Sequence, residues 1–369
     1  MGRIARYAAR RVQNSESNPQ PVLKAKPSKA APGELALLQA IRARAQELAG
    51  AQGPVRAKSR VQLGIGDDCA LLRPRVGEEL AVTTDLSIQG RHFRLDWHPP
   101  ESVGHRTLAR GLSDLAAMGA RPVAAFLSLG LPRELTLAQG KSAAWVTRFL
   151  DGLLELAAEY GVPLAGGDLA EAPIAIADIV LTGSVPQGKA LLRSGARPGD
   201  RIYVTGSLGG AAAELAELAE LERSPQDFVK ARRTEAVSPH LFPQPRVAQG
   251  LWLRKRGLAS AAMDLSDGLS TDLAHLCEES GVAAEVDAAA LPLGPGATLE
   301  MALHGGEDYE LLFTAPEKAK IPSRIAGIAV TAIGRIVSRS ARKPHVSLIT
   351  GKSSQPLLPQ GWEHFSPKS

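Results

Sequence analysis

The chain has 369 residues, 44% apolar and 22% charged, the balance of a soluble globular protein long enough for two domains with cores of their own. No uninterrupted apolar stretch nears the roughly 18 residues of a membrane span, and two cysteines, Cys69 and Cys277, build neither a disulfide framework nor a zinc cage. The net charge of +5 suggests nucleic acid only until it is located. Segment 1–32 holds seven basic side chains and one acid, which leaves the rest of the chain at −1, whereas a nucleic-acid module spreads its basic groups over a folded surface. Neither a nucleic-acid nor a membrane partner is expected.

Segment 1–32 is rich in Pro, Ser, Asn and Lys after Val12. It has little to bury and reads as a disordered basic leader. No apolar core follows its arginines, so no secretory signal is read there and a reducing cytoplasm is the expected compartment. Folded structure is expected from Gly33. Residues 34–48 repeat apolar side chains at helical spacing. A strand is predicted over 80–84, a helix over 103–118 stopped at Gly119, and a strand over 123–131. A helix over 143–160 stopped at Gly161 and a strand-like run over 174–185 complete a first domain, 33–186. A turn-rich connector over 186–200 begins the second domain, 187–369. That domain continues with a strand over 201–205, the turn Gly206-Ser207-Leu208-Gly209-Gly210 and a helix. Segment 224–245 contains four prolines and reads as loop-rich. Buried strands are predicted over 262–265 and 311–314. Interleaved strands and helices give a mixed α/β class, with strand direction left open.

The chemistry is carried by aspartates placed beside Gly, Ser or Thr where apolar runs end. Asp67-Asp68 follows Gly64-Ile65-Gly66, Asp85 follows Thr83-Thr84, and Asp168 follows Gly166-Gly167. Asp264 and Asp267 stand three apart in Asp264-Leu265-Ser266-Asp267-Gly268, and Asp114 interrupts an apolar helical stretch. Singly, Gly-Asp and Asp-Gly pairs are ordinary turn formers. Together they suit a hard cation: magnesium takes carboxylate and hydroxyl oxygens and is shared with substrate phosphates. Adjacent glycines let backbone N–H groups approach those phosphates. The chain has no cysteine cluster or close histidine pair for a softer metal, and no Gly-x-x-x-x-Gly-Lys-Ser/Thr loop or His-Arg-Asp loop. The residues alone indicate a magnesium-dependent, phosphate-handling enzyme.

In one order along the chain after residue 32 stand Gly33-Glu34-Leu35, Leu63-Gly64-Ile65-Gly66-Asp67-Asp68-Cys69-Ala70, Thr83-Thr84-Asp85 and His92-Phe93. Leu112-Ser113-Asp114-Leu115-Ala116-Ala117-Met118-Gly119, Gly166-Gly167-Asp168 and Arg193-Ser194-Gly195-Ala196-Arg197-Pro198-Gly199-Asp200 follow. Asp264-Leu265-Ser266-Asp267-Gly268-Leu269, Gly305-Gly306-Glu307-Asp308-Tyr309-Glu310-Leu311 and Gly361-Trp362-Glu363-His364-Phe365 complete the series. This set resembles the thiamine-monophosphate kinase family, within the superfamily of aminoimidazole ribonucleotide synthetase and selenide water dikinase.

The resemblance implies two α/β domains, a homodimer formed through the N-terminal sheet, and phosphorylation of thiamine monophosphate by ATP to give thiamine diphosphate. It implies that Asp68, Thr83, Thr84, Asp85, Asp114, Asp168, Asp264 and Asp267 hold several Mg2+ ions. Gly167, Asp168, Arg193 and Ser266 would contact ATP, and His92, Glu307 and Trp362 would contact thiamine monophosphate. No dedicated catalytic base or nucleophile is implied, because the acceptor is itself a phosphate. Two positions depart from the family pattern: Leu150 stands where a nucleotide-contacting tyrosine is usual, and Leu169 replaces the Thr or Ser after Asp168. The sister enzymes fit less well. The only cysteine near the N-terminal glycines is Cys69, the chain ends Ser366-Pro367-Lys368-Ser369 without a cysteine, and 305–311 matches the thiamine enzyme.

Overall fold

The computed structural model describes residues 34–51, 60–65, 69–138, 143–220, 238–340 and 345–361. The leader 1–32, Asp67, Asp68 and Trp362 lie outside the described residues, as does 224–237.

The first half begins with α1 (Glu34–Ala51) and a small antiparallel pair, β1 (Val61–Leu63) and β2 (Leu71–Leu72). Then come β3 (Glu78–Ile88), α2 (Pro100–Ala117), β4 (Arg121–Leu131), α3 (Trp145–Tyr160), β5 (Leu164–Glu171) and β6 (Ile176–Pro186). Four of these strands form a sheet in the order β3-β6-β4-β5. The β3–β6 and β4–β6 pairs are antiparallel, and β4–β5 is parallel, joined by a crossover through α3. Helix α2 starts at Pro100, where a missing N–H costs nothing. Its chain reverses through Gly119 at φ +61°. Helix α3 closes on Gly161 in the left-handed conformation. The two helices touch backbone to backbone at Gly104 and Gly152. A Cβ on Gly104 would lie 1.8 Å from the Phe149 carbonyl oxygen, and one on Gly152 1.9 Å from that of Glu101.

Two strand expectations are corrected. Strand β3 does not stop at Thr84. It pairs with β6 through Ile88↔Ile176, so Asp85 is mid-strand: the ladder overrides the turn preference of Asp. Gly166-Gly167-Asp168 is likewise no turn but lies within edge strand β5. A Cβ on Gly167 would sit 1.8 Å from the Leu127 carbonyl oxygen, so glycine there lets β5 close onto β4.

The second half holds β7 (Arg201–Thr205), α4 (Gly210–Glu220), α5 (Val247–Arg256), β8 (Ala261–Asp264), α6 (Leu269–Ser280), β9 (Ala283–Asp287) and α7 (Leu299–His304). It ends with β10 (Leu311–Ala315), β11 (Arg324–Ile325), β12 (Ile328–Val337), β13 (Val346–Thr350) and β14 (Ser353–Pro356). The strand order is β14-β13-β9-β12-β7-β10-β8, with β11 on β12; β13–β9 is the parallel pair and the others are antiparallel. Alternation with period two divides the apolar residues between the faces. Tyr203, Ala262, Leu311 and Phe313 join the core of the first half, whereas Ile202, Val204, Met263 and Leu312 pack with Leu273, Leu276 and Leu303 in a second core. One apolar cluster therefore spans both halves, and α2 packs against both β8 and α5. That seam positions the site.

Candidate active site at the domain junction

Strand β3 presents alternate residues to opposite faces. Thr83, Asp85 and Ser87 face α2. The Thr83 hydroxyl donates to Asp114 of α2, Asp85 pairs with Arg110 at 3.0 Å, and the Arg110 guanidinium also donates to the Leu86 carbonyl at 2.8 Å. From the second half, Asp264 reaches the same helix at the end of β8. It is buried and accepts from Ser113 Oγ at 2.7 Å. The following loop is tied by Asp272 of α6, whose Oδ2 accepts the N–H groups of Ser266 and Asp267, each at 3.1 Å. Asp85, Asp114, Asp264 and Asp267 thus converge from two domains on one patch.

Packing like charges out of water has its usual effect. Burial, eased by Arg110 and aggravated by Asp114, Asp178 and Asp267, pushes Asp85 up to about 6. Burial and the charge of Asp114 push Asp264 to about 7. Burial raises Asp114 as well, against the pull of Thr83, Arg193 and Arg110. Arg193 is exposed, yet close enough to lower both Asp114 and Asp264. Such a cluster lacks positive charge. Its oxygen donors fit a hard divalent cation, and the raised pKa values are what a site completed by cations produces. Among the described residues, no three His, Cys, Asp or Glu side chains form a ready cage.

Beside the carboxylates lies a small cavity lined by Ser87, His92, Phe93, Val103, Arg106 and Arg110. His92 Nδ1 accepts the Ile88 N–H at 3.1 Å, which makes Nε2 the N–H donor of the neutral ring. Glu307 reaches the same place through Arg106, at 2.5 Å, and sits 3.2 Å from His240 Nδ1. Burial alone would raise the Glu307 carboxyl; Arg106, His240 and Arg110 outweigh it and hold the group well below the usual carboxylate range. Its backbone takes φ 67°, and its N–H donates to the Ser266 carbonyl at 2.8 Å. The structure therefore gathers His92, Arg193, Ser266 and Glu307 around Asp85, Asp114, Asp264 and Asp267.

Thr84 and Asp168 stand apart, on the outer face of the first sheet. The Thr84 hydroxyl donates to Asp178 at 2.9 Å. Register sets Asp168, Ser128, Asp178 and Leu86 in one row across the four strands. Asp168 Oδ1 accepts the Leu169 N–H at 2.9 Å. Leu150 is a core residue of α3, and Leu169 packs against the same core.

Several residues were not singled out from the sequence: Arg106, Arg110, Ser113, His240 and Asp272 at the junction, and Asp178 on the outer face of the first sheet. For three of them a signal existed. Arg106, Arg110 and Ser113 recur at helical spacing with Asp114, a polar stripe along one side of α2.

The sequence matches the family models for the AIR synthase related protein, N-terminal domain over 66–185 and C-terminal domain over 197–346. This defines a two-domain protein of the AIR synthase related class. Thiamine-monophosphate kinase of Escherichia coli (strain K12) is 41% identical over 322 residues, covering 83% of this chain and 93% of that protein. The crystal structure of thiamine-monophosphate kinase from Stenotrophomonas maltophilia K279a superposes with TM-score 0.67 at 37% identity, covering 86% of this chain and 96% of that one. AaThiL complexed with AMPPCP and TMP superposes with TM-score 0.65 at 30% identity, covering 92% of this chain and 100% of that one. The chain belongs to the thiamine-monophosphate kinase family.

Proposed function

We propose that the chain transfers the γ-phosphoryl group of ATP to the phosphate of thiamine monophosphate by direct in-line displacement, giving ADP and thiamine diphosphate. The observation that carries this reading is the junction. Asp85 and Asp114 of one domain meet Asp264 and Asp267 of the other beside Arg193, with the His92–Arg106–Glu307 side adjoining. In this reading Asp68, Thr83, Thr84, Asp85, Asp114, Asp168, Asp264 and Asp267 would hold several magnesium ions. Magnesium, when bound, supplies the charge neutralisation that lets two polyanions approach. Gly167, Asp168, Arg193 and Ser266 would bind ATP, and His92, Glu307 and Trp362 thiamine monophosphate. The complex of AaThiL with AMPPCP and TMP supports this pairing of ligands.

The chain's own contribution is positioning and charge. Arg193 stabilises negative charge developing on the transferred group. The acceptor phosphate has a second pKa near about 6 by analogy with phosphorylated side chains, so at neutral pH it needs no general base. No residue forms a covalent phosphoryl intermediate. We also propose domains at 33–186 and 187–369, a basic leader at 1–32, a cytoplasmic location, and a homodimer made through the outer face of the first sheet. That face exposes Leu80 at 44%, Val82 at 65% and Leu86 at 49% on one strand, an apolar row of the kind that marks an interface.

The test is turnover with ATP labelled at the γ-phosphate. Label is expected in thiamine diphosphate and absent from acid-quenched protein. Labelled protein on the turnover timescale would overturn direct transfer, and unlabelled thiamine product would overturn the function.

A further inference from the structure

A buried polar chain crosses the domain junction outside the residues assigned above. His98 lies just before the Pro99-Pro100 start of α2, and His240 lies in the loop before α5; they are 3% and 2% exposed. Their Nε2 atoms are 2.9 Å apart. The neighbours of each ring settle where its proton sits. The Arg94 N–H donates to His98 Nδ1 at 3.1 Å, so neutral His98 carries its proton on Nε2. The alternative, with His98 Nδ1–H donating to the Arg94 carbonyl at 3.2 Å, would set two lone pairs face to face. Arg106 Nη1, which can only donate, lies 3.0 Å from His240 Nε2. That nitrogen is therefore an acceptor shared by Arg106 and His98, and the His240 proton sits on Nδ1, 3.2 Å from Glu307 Oε2.

Glu307 Oε1 is thus held by Arg106 at 2.5 Å, and buried His240 Nδ1 faces Oε2 at 3.2 Å without the alignment of a hydrogen bond. The His240 backbone is held in turn. Its N–H donates to Glu214 Oε2 at 2.7 Å, and Ser238 Oγ donates to Glu214 Oε1 at 2.7 Å. Two and three residues beyond His240, His105 of α2 meets the Phe242 ring edge-on at 5.3 Å and donates from Nε2 to the Pro243 carbonyl at 2.7 Å. Glu307 needs such support, because its φ of 67° is unfavourable for a residue with a Cβ. A carboxylate held in this way keeps acceptor capacity for a cation or an amino group on a ligand.

We infer that His240, with its tautomer set by His98 and Arg106, is a positioning residue that aims the Glu307 carboxylate at the heterocycle of the acceptor substrate. The inference rests on the proposal that Glu307 contacts thiamine monophosphate. It predicts selectivity between the two substrates. In the full-length chain, His240→Ala raises KM for thiamine monophosphate by about 10- to 100-fold, the scale on which loss of a buried polar neighbour is felt by a charged group. The KM for ATP and kcat change by less than about threefold. His240→Asn restores an N–H near the Nδ1 position and brings KM back to within about fivefold of wild type. In a Glu307→Gln background His240→Ala adds less than about twofold, because it acts through Glu307.

Equal effects on both KM values, no rescue by Asn, or an undiminished effect in the Glu307→Gln background would each overturn the inference and leave a structural clamp. If His240→Ala does not fold, His98→Leu is read the same way. A rise of about threefold or more in KM for thiamine monophosphate alone supports the inference, and an unselective change overturns it. Wild-type chain that does not phosphorylate thiamine monophosphate overturns the functional proposal and this inference with it, whereas wild-type turnover with an unselective His240→Ala overturns the inference alone.

Discussion

Asp264 joins the two domains through its bond from Ser113 while carrying a pKa pushed from an ordinary 3.8 to about 7, first by burial and then by Asp114. The folded protein therefore keeps a proton that the unfolded chain has already lost. Stability falls as pH rises from about 4 through about 7, and Asp85, at about 6, acts in the same direction. Asp264→Asn keeps an acceptor for Ser113 and removes the charge. Without magnesium at pH 8, the variant should melt roughly 2 °C or more above wild type, and the gap should close near pH 4. Its turnover should fall by at least about 100-fold, the scale on which a group acting at the transition state is felt. Melting curves across pH with parallel rate assays check both halves, and a variant less stable than wild type at pH 8 would contradict the charge account. The aspartates themselves were legible in the sequence, because acids beside glycines are conspicuous. His240 was not: its partners His98 and Arg106 are 142 and 134 residues away, and nothing local separates it from a loop histidine.

Helices and strands were legible where apolar spacing and stop signals agree. Helix α3 ends on Gly161 and α2 reverses at Gly119, both as read. Strand β5 was hidden because Gly166-Gly167-Asp168 looks like a turn; its pairing with β4 supplies the order that local preference lacks. Two substitutions test this level. Gly167→Ala forces a Cβ into the Leu127 carbonyl. It should loosen β5 and weaken ATP binding, measured by nucleotide titration, more than it alters binding of thiamine monophosphate. Gly104→Ala drives a methyl against the Phe149 carbonyl where α2 crosses α3. Overpacking of this kind costs about 1–3 kcal/mol, seen as a lower denaturant midpoint. An unchanged midpoint would show that the helices can separate freely, contrary to the shared core they anchor.

At the scale of the whole molecule, the two halves are welded by one apolar cluster, so the carboxylates they contribute face each other across a fixed seam. The two-domain organisation was visible as a turn-rich connector between two runs of alternating elements. Which face of which sheet meets which helix was not, since the deciding contacts, Ser113 with Asp264 and Arg106 with Glu307, are 151 and 201 residues apart. The opposite face of the first sheet carries the exposed row Leu80, Val82 and Leu86. Val82→Glu should convert a dimer to a monomer in sedimentation or light scattering, and a wild-type chain already monomeric at micromolar concentration would refute that interface. The central claim is phosphoryl transfer at the junction. The purified chain would be incubated with ATP, magnesium and thiamine monophosphate, and with the acceptors of the sister enzymes in parallel, and the products separated by chromatography. The account predicts ADP and thiamine diphosphate in equal amounts, and no product from the other acceptors; ADP without thiamine diphosphate, or turnover of a sister substrate instead, would contradict it.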